Sequence, residues 1–75
     1  MVVHPRIEMN VEVMAGKPVI RNTRVTVEQI LRECAQGLSA AAVAEQYPRI
    51  EEADVQAALA FAADYLSREV VYAAE

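Results

Sequence analysis

The segment GKPVIRNTRVTVEQIL, residues 16–31, decides the fold of this chain, because it joins a β-type segment directly to a helix. After a Gly-Lys-Pro turn, the apolar pair Val19-Ile20 predicts a short strand. A polar turn follows, in which Asn22 tolerates a positive φ because its short side chain bonds to nearby backbone. Thr26 is a favourable N-cap, and Gln29 three residues later completes the capping-box pattern. The segment therefore predicts a β arm, a turn and the start of a helix.

The 75 residues are close to the lower size limit for independent folding. A chain this short buries only about 60% of the surface that its unfolded form exposes. Hydrophobic residues nevertheless make up 55% of the sequence. We therefore expect residues 1–75 to form a single domain that assembles into a homo-oligomer, most simply a dimer.

The net charge of −4 is unevenly distributed along the chain. Residues 1–25 carry four cationic side chains and two carboxylates, whereas residues 26–75 carry three cationic side chains and nine carboxylates. If the protein binds nucleic acid, the amino-terminal third is the electrostatically favourable part. The residues predicted to bind DNA or a protein partner are Arg6, Lys17, Arg21, Asn22 and Arg24. The alternative is that the charged side chains are solvated and keep a sheet edge from aggregating.

The cysteine content and the hydrophobic runs indicate a cytoplasmic protein. Cys34 is the only cysteine, which excludes an internal disulfide. It lies in a helical apolar stripe, where a small buried side chain is the expected role rather than a reactive thiol. The longest apolar run, residues 57–63, is too short to cross a bilayer, and no signal-peptide pattern is present. We expect no membrane partner.

The strict alternation of apolar and polar residues over residues 7–13 predicts a half-buried strand. This strand would pair with Val19-Ile20 across a turn at residues 15–18. An isolated two-stranded unit is marginal in water, so the hairpin must either pack on the helices or pair with a second copy of the chain. Its exposed edge makes the second arrangement attractive.

From Thr26 onwards the hydrophobic period is that of helices. Gly37 is suited to the residue that ends a helix, Ser39 is a good N-cap, and Pro48 disfavours helical geometry in the residue before it. Acidic residues near Glu51 favour the start of the last helix. The predicted elements are a β arm over residues 6–25 and helices over residues 26–37, 39–47 and 51–70.

The last helix is apolar over most of its circumference, which is typical of a helix buried on more than one side. With only two other helices in the domain, part of this surface is expected to meet another chain. The predicted oligomer interface combines one face of the arm with this helix and consists of Ile7, Met9, Val11, Val13, Ala57, Ala60 and Phe61. The alternative is that the alanines are simply good helix formers, several of them exposed.

These elements predict a mainly α fold, a three-helix domain similar to a helix–turn–helix with a short N-terminal β-hairpin or β arm. The last helix is chemically unsuited to reading the major groove. It begins with Glu51, Glu52 and Asp54, where a recognition helix offers Arg, Lys, Asn or Gln. Any DNA contact is therefore expected from the arm.

The inventory of catalytic groups is poor. His4 is the only histidine, and no Cys/His cluster offers metal ligands. Ser39 is explained as a helix cap, and Lys17 lacks the glycine spacing of a P-loop. We expect no enzymatic activity, no catalytic residue, no metal, no cofactor and no small-molecule substrate.

An ordered series of residues resembles the signature of the domain of unknown function 433 family. The series comprises residues 16–21, 23–25, 27, 30, 31, 35, 37, 39, 47, 48, 50, 54, 55, 57–59, 62 and 63, and the resemblance extends from Ile7 to about Leu66. It implies a small helix–turn–helix module with a β arm and a prokaryotic antitoxin-like role. Such a chain would bind and inhibit a PIN-like ribonuclease toxin, and it would also bind its own operator DNA.

The chain departs from the family pattern at four positions. Ala15 and Asn22 stand where the family usually has glycine, Thr26 replaces a common proline, and Ala42 replaces an acidic residue. Asn22 can hold a left-handed turn, so we expect that turn to be retained. Two other functions are compatible with the residues: a stand-alone DNA-binding repressor, and a structural homodimerisation domain without a ligand.

Overall fold

The computed structural model describes residues 4–70, with side chains as far as Ser67. A short β-hairpin precedes three α-helices. The elements are β1 Ile7–Glu8, β2 Val19–Ile20, α1 Val27–Ala35, α2 Ala40–Glu45 and α3 Glu52–Val70. The predicted fold class, mainly α with a short N-terminal β-hairpin, is confirmed. Among residues 4–70, no helix is both long enough and apolar enough to span a bilayer.

The strand predicted over residues 7–13 is wrong beyond its first two residues. β1 pairs antiparallel with β2, with Ile7 opposite Ile20. After β1 the chain turns, because Asn10 offers local acceptors that compete with a strand ladder. Its side-chain oxygen accepts from the Glu12 N–H at 2.8 Å, and its carbonyl oxygen accepts from the Val13 N–H at 2.8 Å. The alternating apolar and polar residues after Glu8 therefore lie in a compact turn and not in a strand.

A left-handed segment links this turn to β2. Met14, Ala15 and Gly16 have φ values of 50°, 58° and 87° in a single 3₁₀ turn, Met14–Gly16. Only the last of these residues adopts a positive φ without steric cost. Asn22 has a φ of 65°, which confirms the left-handed turn predicted there.

The helix caps follow the sequence closely. The Thr26 hydroxyl accepts from the Gln29 N–H at 3.0 Å, and the Ser39 hydroxyl accepts from the Ala42 N–H at 3.1 Å. The capping box at α1 is only half formed, because the Gln29 side chain donates to the Tyr47 hydroxyl at 2.9 Å instead of reaching back. Gly37 has a φ of 102°, as its predicted helix-ending position requires.

The hairpin packs on the helices of its own chain, one of the two arrangements predicted for it. Both strands and all three helices contribute to the buried cluster, whose members are Ile7, Ile20, Val27, Ile30, Val43, Ile50, Val55, Ala58 and Phe61. Burial of both strands against helices supplies the support that a two-stranded hairpin lacks in water. The arm is therefore part of the core.

This packing changes the surface available at the predicted oligomer interface. Ile7 is 0% exposed and Phe61 is 6% exposed, so both side chains are used within the chain itself. Met9 and Ala57 are half-buried against the core, and Val13 is half-buried. Val11 and Ala60 are exposed, on separate elements. The arm and α3 thus do not offer these seven residues as one free apolar face.

Candidate partner-binding surface at the arginine turn

The five residues predicted to bind a partner fall into two groups, and the first group is paired within the chain. The Arg6 Nη1 atom lies 2.8 Å from Asp54 Oδ1 and 3.5 Å from Glu51 Oε1. The Lys17 Nζ atom lies 3.3 Å from Glu28 Oε1. Both cations are partly exposed, but each forms an ion pair with a carboxylate in the first turn of a helix or immediately before it. They fasten the arm to the helical body.

The Arg6 pair is built into the start of α3. Asp54 is buried, and its second carboxylate oxygen accepts from the Glu51 N–H at 2.8 Å. This bond satisfies one of the free N–H groups at the helix N-terminus. The hydrogen bond and charge of Asp54 raise the pKa of the Arg6 guanidinium above its ordinary value. Arg6 thus compensates a carboxylate that would otherwise be buried without a cation.

The Lys17 pair belongs to a small surface network. Arg32, one turn further along α1, donates to the second Glu28 oxygen at 2.7 Å. The hydrogen bonds from Arg32 and Lys17 hold the pKa of Glu28 below its ordinary value. One carboxylate is therefore shared by two cations, and this network keeps a net charge of +1.

The second group forms what we call the arginine turn, residues 21–24 between β2 and α1. The Ile20 N–H donates to the Val25 carbonyl oxygen at 2.9 Å and closes the turn. The Thr23 hydroxyl donates to the Ile20 carbonyl oxygen at 2.8 Å and accepts from the Val25 N–H at 3.0 Å. Arg21 and Arg24 are exposed, and neither makes an ion pair with any side chain that the structure describes.

Neighbouring segments fix the backbone of the arginine turn. The Arg21 N–H donates to the Arg6 carbonyl oxygen at 2.9 Å, and the Asn22 N–H donates to Glu8 Oε1 at 3.3 Å. Asn22 thus holds the turn through its backbone and its left-handed conformation. Two cationic side chains project from a backbone that is already ordered, so binding a partner would cost little additional loop entropy.

Arg49 is a third cation at this surface and is not among the residues predicted to bind a partner. Its Nη1 atom donates to the Asn22 carbonyl oxygen at 3.3 Å. Arg49 lies in the connector between α2 and α3, and the burial of Ile50 beside it brings the connector against the arm. Position 49 is 27 residues from Asn22, and no local pattern indicates this proximity.

This surface is suited to binding anions. A guanidinium group offers a planar fork of donors that matches a carboxylate or a phosphate. Within residues 4–70, no group of three or more His, Cys, Asp or Glu side chains is arranged to hold a metal ion. The exposed Glu51 and Glu52 make the start of α3 negative, so the cationic surface is confined to the arm and the adjacent connector.

Two polar clusters elsewhere have structural explanations. His4 lies 3.0 Å from Asp64 and edge-on to Phe61, with 5.8 Å between ring centroids, which ties the start of the arm to α3. The Tyr47 hydroxyl donates to Glu33, and burial together with this carboxylate raises the pKa of Tyr47. The second cluster joins α1 to the end of α2.

Comparison with known proteins supports the resemblance noted in the sequence. The model of one family, described as a protein of unknown function (DUF433), matches residues 7–62. No curated protein and no solved structure matches the chain. The matched segment runs from β1 into α3 and includes the whole arginine turn. The chain therefore belongs to the DUF433 family.

Proposed function

We propose that this chain is the antitoxin-like member of a prokaryotic type II toxin–antitoxin pair. It is a cytoplasmic homodimer without enzymatic activity that binds a PIN-like ribonuclease toxin through the arginine turn. One observation carries the proposal: Arg6 and Lys17 are paired within the chain, whereas Arg21 and Arg24 project from an ordered turn. The resemblance to the DUF433 family supplies the class of partner.

The proposed inhibition relies on the chemistry of metal-dependent nucleases. Such an enzyme needs clustered carboxylates to hold its metal ions. An arginine inserted among these carboxylates pairs with them bidentately and competes with the metal for the same oxygens. Arg21 and Arg24 are the candidates for insertion, and Arg49 adds positive charge at the base of the turn. Neither a membrane nor a small-molecule substrate takes part in this mechanism.

Operator DNA is the second candidate ligand, because guanidinium groups also bind phosphates. Three exposed arginines support contact with the DNA backbone, while the acidic start of α3 opposes insertion of that helix into the major groove. Binding of this kind depends on counterion release, so its affinity falls steeply as salt rises. A stand-alone repressor would show this DNA binding without any toxin. A purely structural dimerisation domain would show neither.

The toxin proposal is tested by co-expression with a PIN-like reading frame next to its gene and affinity purification of the complex. We expect wild type to retain the toxin and the double variant Arg21→Glu/Arg24→Glu to lose it. The matched control is Lys17→Glu/Arg32→Glu, which changes the net charge equally at the Glu28 network, away from the arginine turn. Circular dichroism checks that each variant folds. Equal retention by wild type and the arginine-turn variant would remove the turn from the mechanism.

The DNA candidate is tested separately by electrophoretic mobility shift with the promoter fragment. Binding should be seen at low salt, weaken as salt is raised, and weaken further in the Arg21→Glu/Arg24→Glu variant. The absence of a shift at low salt would exclude the repressor function.

A further inference from the structure

An apolar groove lies between α1 and the second half of α3. Its walls are formed by Pro18 and Leu31 on one side and by Phe61, Ala62, Tyr65 and Leu66 on the other. Tyr65 and Leu66 are each 52% exposed, although both are large and apolar. The charged residue of the lining, Glu28, is already compensated by Lys17 and Arg32. Among the residues that the structure describes, the groove lining contains no other charged side chain.

The groove continues into a stripe on the outer face of α3. Leu59, Ala63 and Leu66 follow the spacing i, i+4, i+7, which places them on one side of a helix. Leu59 is 39% exposed and Ala63 is exposed. On α3 this stripe adjoins the buried side: Val55, one turn before Leu59, is 0% exposed, and Ala58 and Phe61 lie further round the helix.

The stripe is symmetric about the bond between Ala62 and Ala63. Leu59 and Leu66 lie on opposite sides of that bond, each about 5 Å from it along the helix axis. Two small residues lie in the middle and one leucine at either end. A two-fold interface must be self-complementary, and in an antiparallel helix pair centred on this bond Leu59 of one copy meets Leu66 of the other. The alanines allow the two helix backbones to approach closely.

We infer that the groove and the stripe bind a second copy of this chain, with the two α3 helices antiparallel and crossing at Ala62–Ala63. Each Leu66 packs against α3 of the other copy. The part of that helix around Leu59 covers the edge of the groove near Tyr65 and Leu31. The inference gives the proposed homodimer a defined interface.

Electrostatics distinguishes the antiparallel from the parallel arrangement. Glu51 lies immediately before α3 and Glu52 begins it, about 16 Å from the centre of the crossing. In the antiparallel pair, the two acidic ends are about 32 Å apart, several times the Debye length of about 8 Å at physiological salt. In a parallel pair they would be adjacent and would repel. The helix dipoles also oppose each other favourably in the antiparallel pair.

The exposed apolar surface is small by the standard of stable dimers, which bury about 800 Å² on each partner. We therefore expect a dimer that dissociates on dilution. Sedimentation velocity from about 1 μM to about 1 mM covers the range in which interfaces of this kind associate. Wild type should shift from monomer to dimer within this range.

The first test compares two exposed apolar residues. Leu66→Glu places a charge in the interface and should raise the dimer Kd at least about tenfold. Val11→Glu makes the same kind of change at a residue that is 82% exposed on the arm, and it should leave the Kd within about twofold. Circular dichroism confirms folding of both variants. A wild type that is monomeric throughout, or a Leu66→Glu variant that dimerises as wild type does, would overturn the inference.

The second test measures the orientation of the helices by disulfide cross-linking in a Cys34→Ala background. Ala63→Cys, close to the two-fold axis, should give a cross-linked dimer under mild oxidation. Glu52→Cys lies on the same face of α3 but far from the axis, and it should remain uncross-linked. Cross-linking through both positions, or through position 52 alone, would show a parallel pair and contradict the inference.

This inference rests on the homodimer of the proposed function, but the two fail separately. Toxin retention depends on the arginine turn, so loss of binding in Arg21→Glu/Arg24→Glu with intact dimerisation supports the toxin contact alone. A chain that is monomeric at all concentrations yet retains the toxin would overturn the α3 interface and leave the arginine turn in place.

Discussion

The two ends of the β arm carry the same kind of charge and use it differently. At the first end, Ile7 is fully buried and Arg6 is paired with Asp54 at the start of α3. At the second end, the arginine turn is held by backbone hydrogen bonds, and the side chains of Arg21 and Arg24 remain exposed. The first end uses its cation to attach the arm to the helices. At the second end, the backbone is ordered by hydrogen bonds in which the two arginine side chains take no part.

This difference shows how a small acidic chain can keep exposed cations on its surface. Its helices offer many carboxylates, and any cation within reach of one becomes part of the structure. Lys17 reaches Glu28 in this way. Glu8, the carboxylate beside the arginine turn, accepts from the Asn22 N–H, and within the described residues it makes no ion pair with Arg21 or Arg24. The following predictions test this division, starting with the largest effect.

The strongest contrast is expected between the buried and exposed apolar residues of the arm. Ile7→Ala should lower the free energy of unfolding by about 3 kcal/mol, because it opens a cavity in the core. Val11→Ala should change it by less than about 0.5 kcal/mol, since Val11 is almost fully exposed. Urea denaturation followed by circular dichroism measures both values. Similar losses in the two variants would show that the first end is not anchored as the structure has it.

Two aspartates on α3 offer the next contrast. Asp54→Ala should cost about 2 kcal/mol, because it removes the acceptor of the Glu51 N–H and leaves Arg6 without its carboxylate. Asp64→Ala should cost less than about 0.5 kcal/mol, because its side chain is 67% exposed. Thermal and urea unfolding of the two variants give the comparison. If Asp64→Ala lowers the stability as much as Asp54→Ala does, the His4–Asp64 pair contributes as much as the Arg6–Asp54 pair to holding the arm on α3.

A smaller effect, a gain in stability instead of a loss, is expected from a substitution at one of the two left-handed residues that flank β2. Ala15→Gly should stabilise the fold by about 1 kcal/mol, because alanine at a φ of 58° has a steric cost that glycine lacks. Asn22→Gly should be close to neutral, because asparagine tolerates its φ of 65°. The melting temperatures of the two variants measure this difference. A destabilised Ala15→Gly variant would mean that the methyl group contributes packing that exceeds the strain.

Local chemistry made the helices predictable. Thr26 and Ser39 cap their helices as their side chains indicate, and Gly37 ends α1 in the conformation that glycine favours. Asn22 takes the left-handed conformation for the same local reason. Each of these features depends on the residue type itself or on a hydrogen bond within a few residues, and both can be read from the sequence.

The arm was harder to predict because its role depends on distant residues. Alternation over residues 7–13 has the period of a strand, but the acceptors of Asn10 form a turn after two residues. Whether a cation is free or paired is also a tertiary property. Arg6 meets Asp54 across 48 positions, and Arg49 meets Asn22 across 27. Charge counting therefore located the basic part of the chain but could not separate its attached residues from its free ones.

The smallest predicted effect concerns Glu28, which anchors Lys17 at the middle of the arm. Its two cations lower its pKa in the folded state below the ordinary value of 4.5, so its contribution to stability is complete above that pH. The contribution is lost as the pH falls below 4.5 and through the folded pKa. The melting temperature of Glu28→Gln should therefore be lower than that of wild type at neutral pH, and the difference should shrink on acidification and in high salt. Glu45→Gln removes the same charge from the exposed end of α2 and is the control, for which no such convergence is expected. If the difference for Glu28→Gln is the same at pH 7 and pH 3, the pairs of Glu28 with Arg32 and Lys17 contribute nothing measurable to stability.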